Sequence, residues 1–261
     1  MLSALTRGVS PSIGACKLTF MEREQVDVAV ATRQHEAYTE CLKKMGVQVT
    51  SLELLSEAPD AVFIQDTAVV VEEVAVVAAM GAACRADEVE SVAEVLSSHR
   101  PLRRLSPPAT LEGGDVVRIG RTLYVGVSGR TNREGITQLS DILAPYDYQV
   151  RPVGVRGCLH LSTGCSYLGR GLMLLNPVWV DAAPFGEFEI LEVPETESWA
   201  ANTIAVGDTV LMASAFERTC ALVENQGFKV VATDISELQK AEGALTCMSL
   251  MFEAKELELK L

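Results

Sequence analysis

No cluster of lysines and arginines interrupts this 261-residue chain, in which 22 basic residues are outnumbered by 35 acidic ones for a formal net charge of −13. The densest basic stretch, Arg100 with Arg103 and Arg104, is short and carries no interleaved aromatics. A polyanion would meet a repulsive mean field, which argues against nucleic acid as a partner, whereas a small cationic ligand suits the field. Aromatics are scarce at 5%, so the core must be aliphatic. Long apolar runs are missing too. The longest, residues 67–80, is divided by Glu72 and Glu73, and neither half approaches the roughly 20 residues needed to cross a bilayer. Residues 1–11 hold one arginine and no apolar stretch of signal-peptide length, so no membrane partner and a cytoplasmic location are expected. The seven cysteines are odd in number, scattered, and form no CxxC pair, which argues against a disulfide framework or a zinc knuckle. Reduced thiols, mostly buried as small apolar side chains, are expected instead.

What is present is ordinary globular material, 48% hydrophobic and 22% charged, with ample apolar surface to offset chain entropy. Residues 26–31 read as a strand. Residues 34–45 read as a helix, with Ala37, Cys41 and Met45 on one face and Gly46 closing it. Residues 47–52 read as the next strand. The segment 61–64 leads into strand 68–71, and Glu72-Glu73 predicts a hairpin turn with 74–79 returning. Helices are predicted over 88–97, 132–143 and 216–226. Hairpins are predicted at 115–119/122–125, 166–168/172–175 and 204–206/209–212, and further strands at 150–153 and 229–232. A unit of hairpin, helix and further strand thus recurs at roughly 40–50 residues, the period of repeats arranged in a ring or solenoid. No linker rich in Pro, Gly or Ser divides the chain. Residues 1–252 are expected to form one α/β domain, and 253–261 a charged, helical, solvated tail.

Only three histidines exist. His35, opening a helix, and His99, in a polar helix end, are expected at the surface. His160 lies in Leu-His-Leu-Ser-Thr-Gly, read as an apolar strand ending at a glycine-bearing turn; alone it is adequately explained as a core histidine. Glu112, in Leu-Glu-Gly-Gly-Asp, stands before two glycines where backbone can approach closely, as at an active-site rim, yet alone it reads as a turn acid. Cys247, in Gly-Ala-Leu-Thr-Cys-Met-Ser-Leu, reads alone as a buried inert thiol. Together, a thiolate, an imidazole to move protons and a carboxylate to orient it form a nucleophilic constellation, in a chain order unlike that of papain-type proteases. Asp60 and Asp66 bracket an apolar segment centred on Phe63. They are either strand-end acids facing water or a grip for a guanidinium, which a carboxylate can hold through two hydrogen bonds. Arg85 and Arg130 could pair with a substrate carboxylate or simply be solvated.

Read together, these segments resemble the dimethylarginine dimethylaminohydrolases of the guanidine-modifying superfamily that includes arginine deiminases. The matching pieces, in the family's order, are Cys16-Lys17-Leu18-Thr19, Pro-Asp-Ala-Val-Phe-Ile-Gln-Asp-Thr (59–67), Leu-Glu-Gly-Gly-Asp (111–115), Gly-Arg-Thr-Asn (129–132), Leu-His-Leu-Ser-Thr-Gly (159–164), Glu-Ser-Trp-Ala-Ala-Asn (197–202) and Gly-Ala-Leu-Thr-Cys-Met-Ser-Leu (243–250). The resemblance implies a five-bladed α/β propeller with the active site in its central channel, in agreement with the repeat. It implies Cys247 as nucleophile, His160 as general acid and base, and Glu112 as the carboxylate orienting His160. It places Asp66 on the substrate guanidinium, Asp60 on the α-amine, and Arg85 and Arg130 on the α-carboxylate. Leu18, the backbone at Ala241 and an apolar wall at Phe63 would complete the pocket. Gln65 departs from the pattern, since the family usually carries an acid there. If the site is desolvated, a hydrogen bond lost from a charged partner costs about 1.5–3 kcal/mol, so the preferred guanidine is the property this change touches.

The implied reaction is hydrolysis of an Nω-methylated arginine to citrulline and a methylamine through a covalent thiouronium on Cys247. It needs no metal and no organic cofactor. Arginine deiminase-like or other guanidine hydrolysis, and a non-catalytic amino-acid-binding relative, are the alternatives; the intact Glu112, His160 and Cys247 speak against the last. A homodimer is compatible with the sequence but not set by it.

Overall fold

Among the described residues the blades are three-stranded sheets, five in number. The computed structural model describes residues 1–254. Strands β1 (Leu2–Arg7) and β2 (Gln48–Leu52) pair in parallel across helix α1 (Val28–Lys44). The next sheet joins β3 (Ala68–Val70) and β4 (Ala75–Val77) as a hairpin, crosses over through α2 (Glu88–Ser97), and returns β5 (Leu102–Arg104) parallel to β4. The third repeats this with β6 (Val116–Ile119), β7 (Thr122–Val127), α3 (Arg133–Leu143) and β8 (Gln149–Gly154). The fourth consists of β9 (Cys165–Gly169), β10 (Leu172–Leu175) and β11 (Glu189–Glu192), with only a 3-10 turn, Ala183–Phe185, in its crossover. The fifth holds β12 (Ile204–Val206), β13 (Thr209–Ala213), a helix over Glu217–Asn225 and β14 (Lys229–Thr233). Finally β15 (Leu250–Glu253) comes back to lie antiparallel against β1, so the first sheet is completed from both ends of the described chain and the ring closes.

The first strand of each hairpin faces the axis. Val69, Val116, Ile204 and Met251, from four inner strands, line a central cavity of about 350 Å³. The helices pack outside against aliphatic side chains: Leu139 and Leu143 of α3 are fully buried beside Leu123 and Val125 of β7. Each such leucine contributes about 1.5–3 kcal/mol by leaving water. Among the described residues, no helix is long and apolar enough to cross a membrane.

Several expectations need correction. Residues 26–31 are not a strand. The Asp27 carboxylate accepts the Val30 N–H at 3.0 Å and caps α1, which begins at Val28. His35 is not a surface residue: it falls on the face of α1 shared by Ala31, Tyr38 and Leu42 and is 6% exposed. Burial there lowers its pKa to about 4, leaving it neutral at pH 7. His160 lies in no strand; it caps the N-terminal end of a short helix, α4 (Leu161–Gly164). Strands β1, β5, β11 and β15 went unread. Glu253, assigned to the tail, sits in β15 opposite Leu2, and the rest of the expected helical tail, beyond residue 254, lies outside the described residues.

Candidate active site

Every inner strand is approached through a short helical turn at its N-terminal end. Turn Ile64–Thr67 precedes β3, Gly113–Asp115 precedes β6, Leu161–Gly164 precedes β9, Glu195–Ala201 comes before β12, and Thr246–Met248 precedes β15. Repetition of this device around a ring brings residues far apart in sequence to one end of the axis. Asp66, His160 and Cys247 line a single small cavity with Asp60, Phe63, Arg85, Arg130 and Ala241. Glu112 stands directly behind, fully buried, with its Oε2 2.7 Å from His160 Nε2. The other imidazole nitrogen, Nδ1, is 3.7 Å from Asp66 Oδ1.

The two glycines after Glu112 make this approach feasible. A Cβ on Gly114 would stand 2.5 Å from Asp66 Oδ1 and 2.8 Å from His160 Nδ1; a Cβ on Gly113 would stand 2.1 Å from the Gln65 carbonyl oxygen. In place of a side chain, Gly114 offers its N–H to Asp66 Oδ1 at 3.1 Å. Asp115, which the sequence reading passed over, is fully buried beneath His160. It accepts the Leu161 N–H at 3.0 Å and the Ser128 hydroxyl at 2.6 Å, fixing the turn that carries the histidine.

These contacts set the protonation states. Burial disfavours the His160 cation, but Asp66, Glu112 and Asp115 together outweigh it and raise its pKa to about 9. Glu112 shifts the opposite way, toward its own charged form: burial would raise its carboxyl, yet the His160 hydrogen bond and charge, with Arg130 and Arg85, hold it well below the usual carboxylate range. The pair is therefore imidazolium and carboxylate at neutral pH. Cys247 is the reverse case, pushed up to about 12 by burial first and by the Asp66 charge second, so it rests as a thiol.

The arginines are engaged by the pocket's own acids. Arg85, 3% exposed, gives Nη1 to Asp66 at 2.5 Å, Nε and Nη2 to Glu88 at 2.9–3.2 Å, and Nη2 to the Phe63 carbonyl at 2.9 Å. Arg130 reaches both oxygens of Glu112 at 3.3 and 3.4 Å. Gln65 is not among the residues lining the Cys247 cavity. It faces the larger central cavity, and its Oε1 accepts the Thr246 hydroxyl at 2.9 Å. Leu18 is half-buried against the surrounding core and also lies off the cavity wall. Lys17, Leu159 and Glu242 line the cavity although the sequence reading singled out none of them; each directly adjoins a residue that it did name.

The segment bearing Leu18 lies across the site. Asp60 accepts the Lys17 N–H at 3.1 Å, and the Glu242 carboxylate accepts N–H groups from Thr19 at 2.8 Å, Phe20, and Met21 at 2.7 Å. The cavity left is about 20 Å³, room for a single water and smaller than an amino acid. Asp66, Glu112 and His160 also offer ligand-type atoms within 4.8 Å of one another. Within that cluster the 2.7 Å contact between His160 and Glu112 is a hydrogen bond.

Comparison with known proteins points the same way. A family model described as N,N dimethylarginine dimethylhydrolase, eukaryotic, matches residues 12–172. The N(G),N(G)-dimethylarginine dimethylaminohydrolase of Pseudomonas aeruginosa is 35% identical over 237 residues, covering 90% of this chain and 93% of that protein. The enzyme of the same name from Streptomyces coelicolor is 36% identical over 248 residues, with 94% and 95% covered. A Pseudomonas aeruginosa enzyme, crystallised as a cysteine-to-serine mutant with citrulline, superposes with a TM-score of 0.91 at 33% identity, covering 96% of this chain and 98% of that one. A dimethylarginine dimethylaminohydrolase adduct with S-methyl-L-thiocitrulline gives the same score and identity, with 96% and 99% covered. The N-terminal domain of the arginine dihydrolase ArgZ shares the fold at a TM-score of 0.84 and 20% identity, with 96% and 98% covered.

Proposed function

The chain belongs to the dimethylarginine dimethylaminohydrolase family, and we propose that it hydrolyses Nω-methylated arginine to citrulline and a methylamine with Cys247, His160 and Glu112 as its catalytic residues. The observation that carries this is the convergence of Cys247, His160 and Asp66 on one cavity, with Glu112 2.7 Å behind the imidazole. The thiol of Cys247 rests protonated beside Asp66. A substrate guanidinium arriving on Asp66 displaces Arg85 from it and adds a positive charge next to the sulfur, so the thiol proton is lost to solvent as the complex forms. The thiolate attacks the guanidinium carbon. His160, already protonated, gives its proton to the departing methylamine as the C–N bond breaks, leaving a thiouronium on Cys247. The now neutral imidazole takes a proton from water, hydroxide adds to the same carbon, and the C–S bond breaks to release citrulline. Glu112 stabilises the imidazolium at both ends of the cycle.

Arg85, once released from Asp66, and Arg130 hold the α-carboxylate, and Asp60 takes the α-amine. Phe63 and Leu159 give the pocket an apolar wall suited to N-methyl groups. The backbone at Ala241 closes a further side, Leu18 stands on the strap across the site and not on the cavity wall, and residues 1–252 work as one catalytic unit. Gln65 contributes here only from behind, through Thr246. The test is citrulline formation from asymmetric dimethylarginine, monomethylarginine and arginine, each incubated separately with the wild type and with Cys247→Ser. Turnover of the methylated substrates by the wild type, and its loss by about 10³-fold or more in the serine variant, is expected. Preference for arginine would move the assignment to a deiminase, and full turnover by Cys247→Ser would overturn the covalent route.

A further inference from the structure

Four of the five turns that precede inner strands carry a group used in the reaction above: Asp66, Glu112, His160 and Cys247. The fifth, Glu195–Ala201, ends on Asn202, which no step uses. We propose that Asn202 is a positioning residue for this reaction, its carboxamide tying the turn that carries His160 to the turn that carries Cys247. The proposal rests on the assignment of those two residues.

Asn202 is 3% exposed and directs both of its side-chain donors and its carbonyl oxygen to the two turns. Its Nδ2 donates to the Ser162 carbonyl at 2.7 Å and to Thr246 Oγ1 at 2.8 Å, and its Oδ1 accepts the Thr246 N–H at 3.0 Å. Ser162 lies two residues after His160, and Thr246 immediately precedes Cys247. The side chain that joins them must offer two donors and one acceptor within one short planar group, which a carboxamide does. The Thr246 hydroxyl, having accepted from Asn202, has one hydrogen left and gives it to Gln65 Oε1 at 2.9 Å. The direction of the chain is therefore fixed, from Asn202 through Thr246 to Gln65, and it ends on the neighbour of Asp66. Gln65 is thereby the terminal acceptor of this chain, consistent with its place outside the Cys247 cavity.

All members of the chain are neutral, which keeps added charge away from the thiolate. Aspartate at position 202 would have nearly the same shape, but it would lose both donors, oppose the Ser162 carbonyl with a carboxylate oxygen, and bring a negative charge toward Cys247. Nucleophile and proton donor on separate blades depend on such a tie, because displacements of about 1 Å in reacting groups cost up to about a hundredfold in rate.

The experiment compares the full chain with Asn202→Asp, Thr246→Val and Thr246→Ser. It measures kcat and KM for citrulline formation, thermal unfolding, and the pH dependence of Cys247 alkylation by iodoacetamide, located by peptide mass. Asn202→Asp and Thr246→Val are expected to lose about tenfold to a hundredfold in kcat with KM within about threefold of wild type. Thr246→Ser restores most of that loss, and alkylation of Asn202→Asp moves to higher pH. If Asn202→Asp does not fold, Thr246→Val, which removes one hydroxyl, decides the matter. A folded Asn202→Asp or Thr246→Val with wild-type kcat, or a loss confined to KM, would overturn the proposal. If the wild type forms no citrulline, the assignment of function fails, while the alkylation profiles still test whether Asn202 acts on Cys247.

Discussion

His160 holds its proton because three acids surround it, and Cys247 holds its own because it is buried and one of those acids also faces the sulfur. This difference is testable with a small set of signals, since the chain has only three histidines. In a proton NMR titration, the His35 ring should change protonation near pH 4 and the His160 ring near pH 9. Glu112→Gln removes the hydrogen-bonded charge, and the His160 midpoint should fall by about a unit or more while that of His35 stays. An unmoved His160 midpoint would separate the two residues functionally. The sign for stability follows from the same shift. A histidine raised from its ordinary value of 6.5 to about 9 contributes stability that is full below about pH 6.5 and lost as pH rises through 9. None of this could be read from the residues individually. His160, Glu112 and Cys247 each had an adequate structural explanation alone, and what joins them is a fold that superposes three turns from three blades.

At the scale of elements, the turns before the inner strands make specific demands on their glycines. Gly113 and Gly114 are adjacent, yet their Cβ positions point at different things: backbone carbonyls of Gln65 and Ala68 for the first, the side chains of Asp66 and His160 for the second. Gly113→Ala should therefore lower stability by about 1–3 kcal/mol, as overpacking does. Gly114→Ala should mainly lower kcat, with a smaller shift in Tm. Thermal denaturation beside citrulline kinetics checks both, and an active Gly114→Ala enzyme would refute the close approach. The helices and hairpins were readable because α2 and α3 show apolar residues at helical spacing and the turns hold Gly-Arg or Gly-Asp pairs. The turns carrying the site were not, since a single turn of helix is too short for any periodicity. The strand expected at 26–31 failed for a related reason. Apolar alternation there outweighed, in the reading, the capping carboxylate of Asp27, whereas in the structure the cap decides. Strands β1 and β15 escaped because their pairing joins opposite ends of the described chain, which no local pattern shows.

For the whole molecule, net charge becomes a kinetic property. A net charge of −13 attracts a substrate bearing a guanidinium, and dissolved salt screens that attraction over a Debye length of about 8–10 Å. The apparent KM for methylated arginine should rise with ionic strength while kcat changes little; a KM insensitive to salt would confine recognition to the pocket's own contacts. The repeat pointed to a ring or solenoid and the family resemblance to five blades, but neither gave the way the ring closes, with β15 laid against β1. That closure has a consequence in time. During synthesis the chain emerges with Asp66, Glu112, His160 and Asn202 in turn, and the strand that seals the ring comes out together with Cys247, only a few residues apart. In our assignment, a nascent or truncated chain lacking this last segment has neither the nucleophile, Cys247, nor the strand that closes the ring. An unclosed ring is thus also one in which the proposed nucleophile, Cys247, is not yet in place.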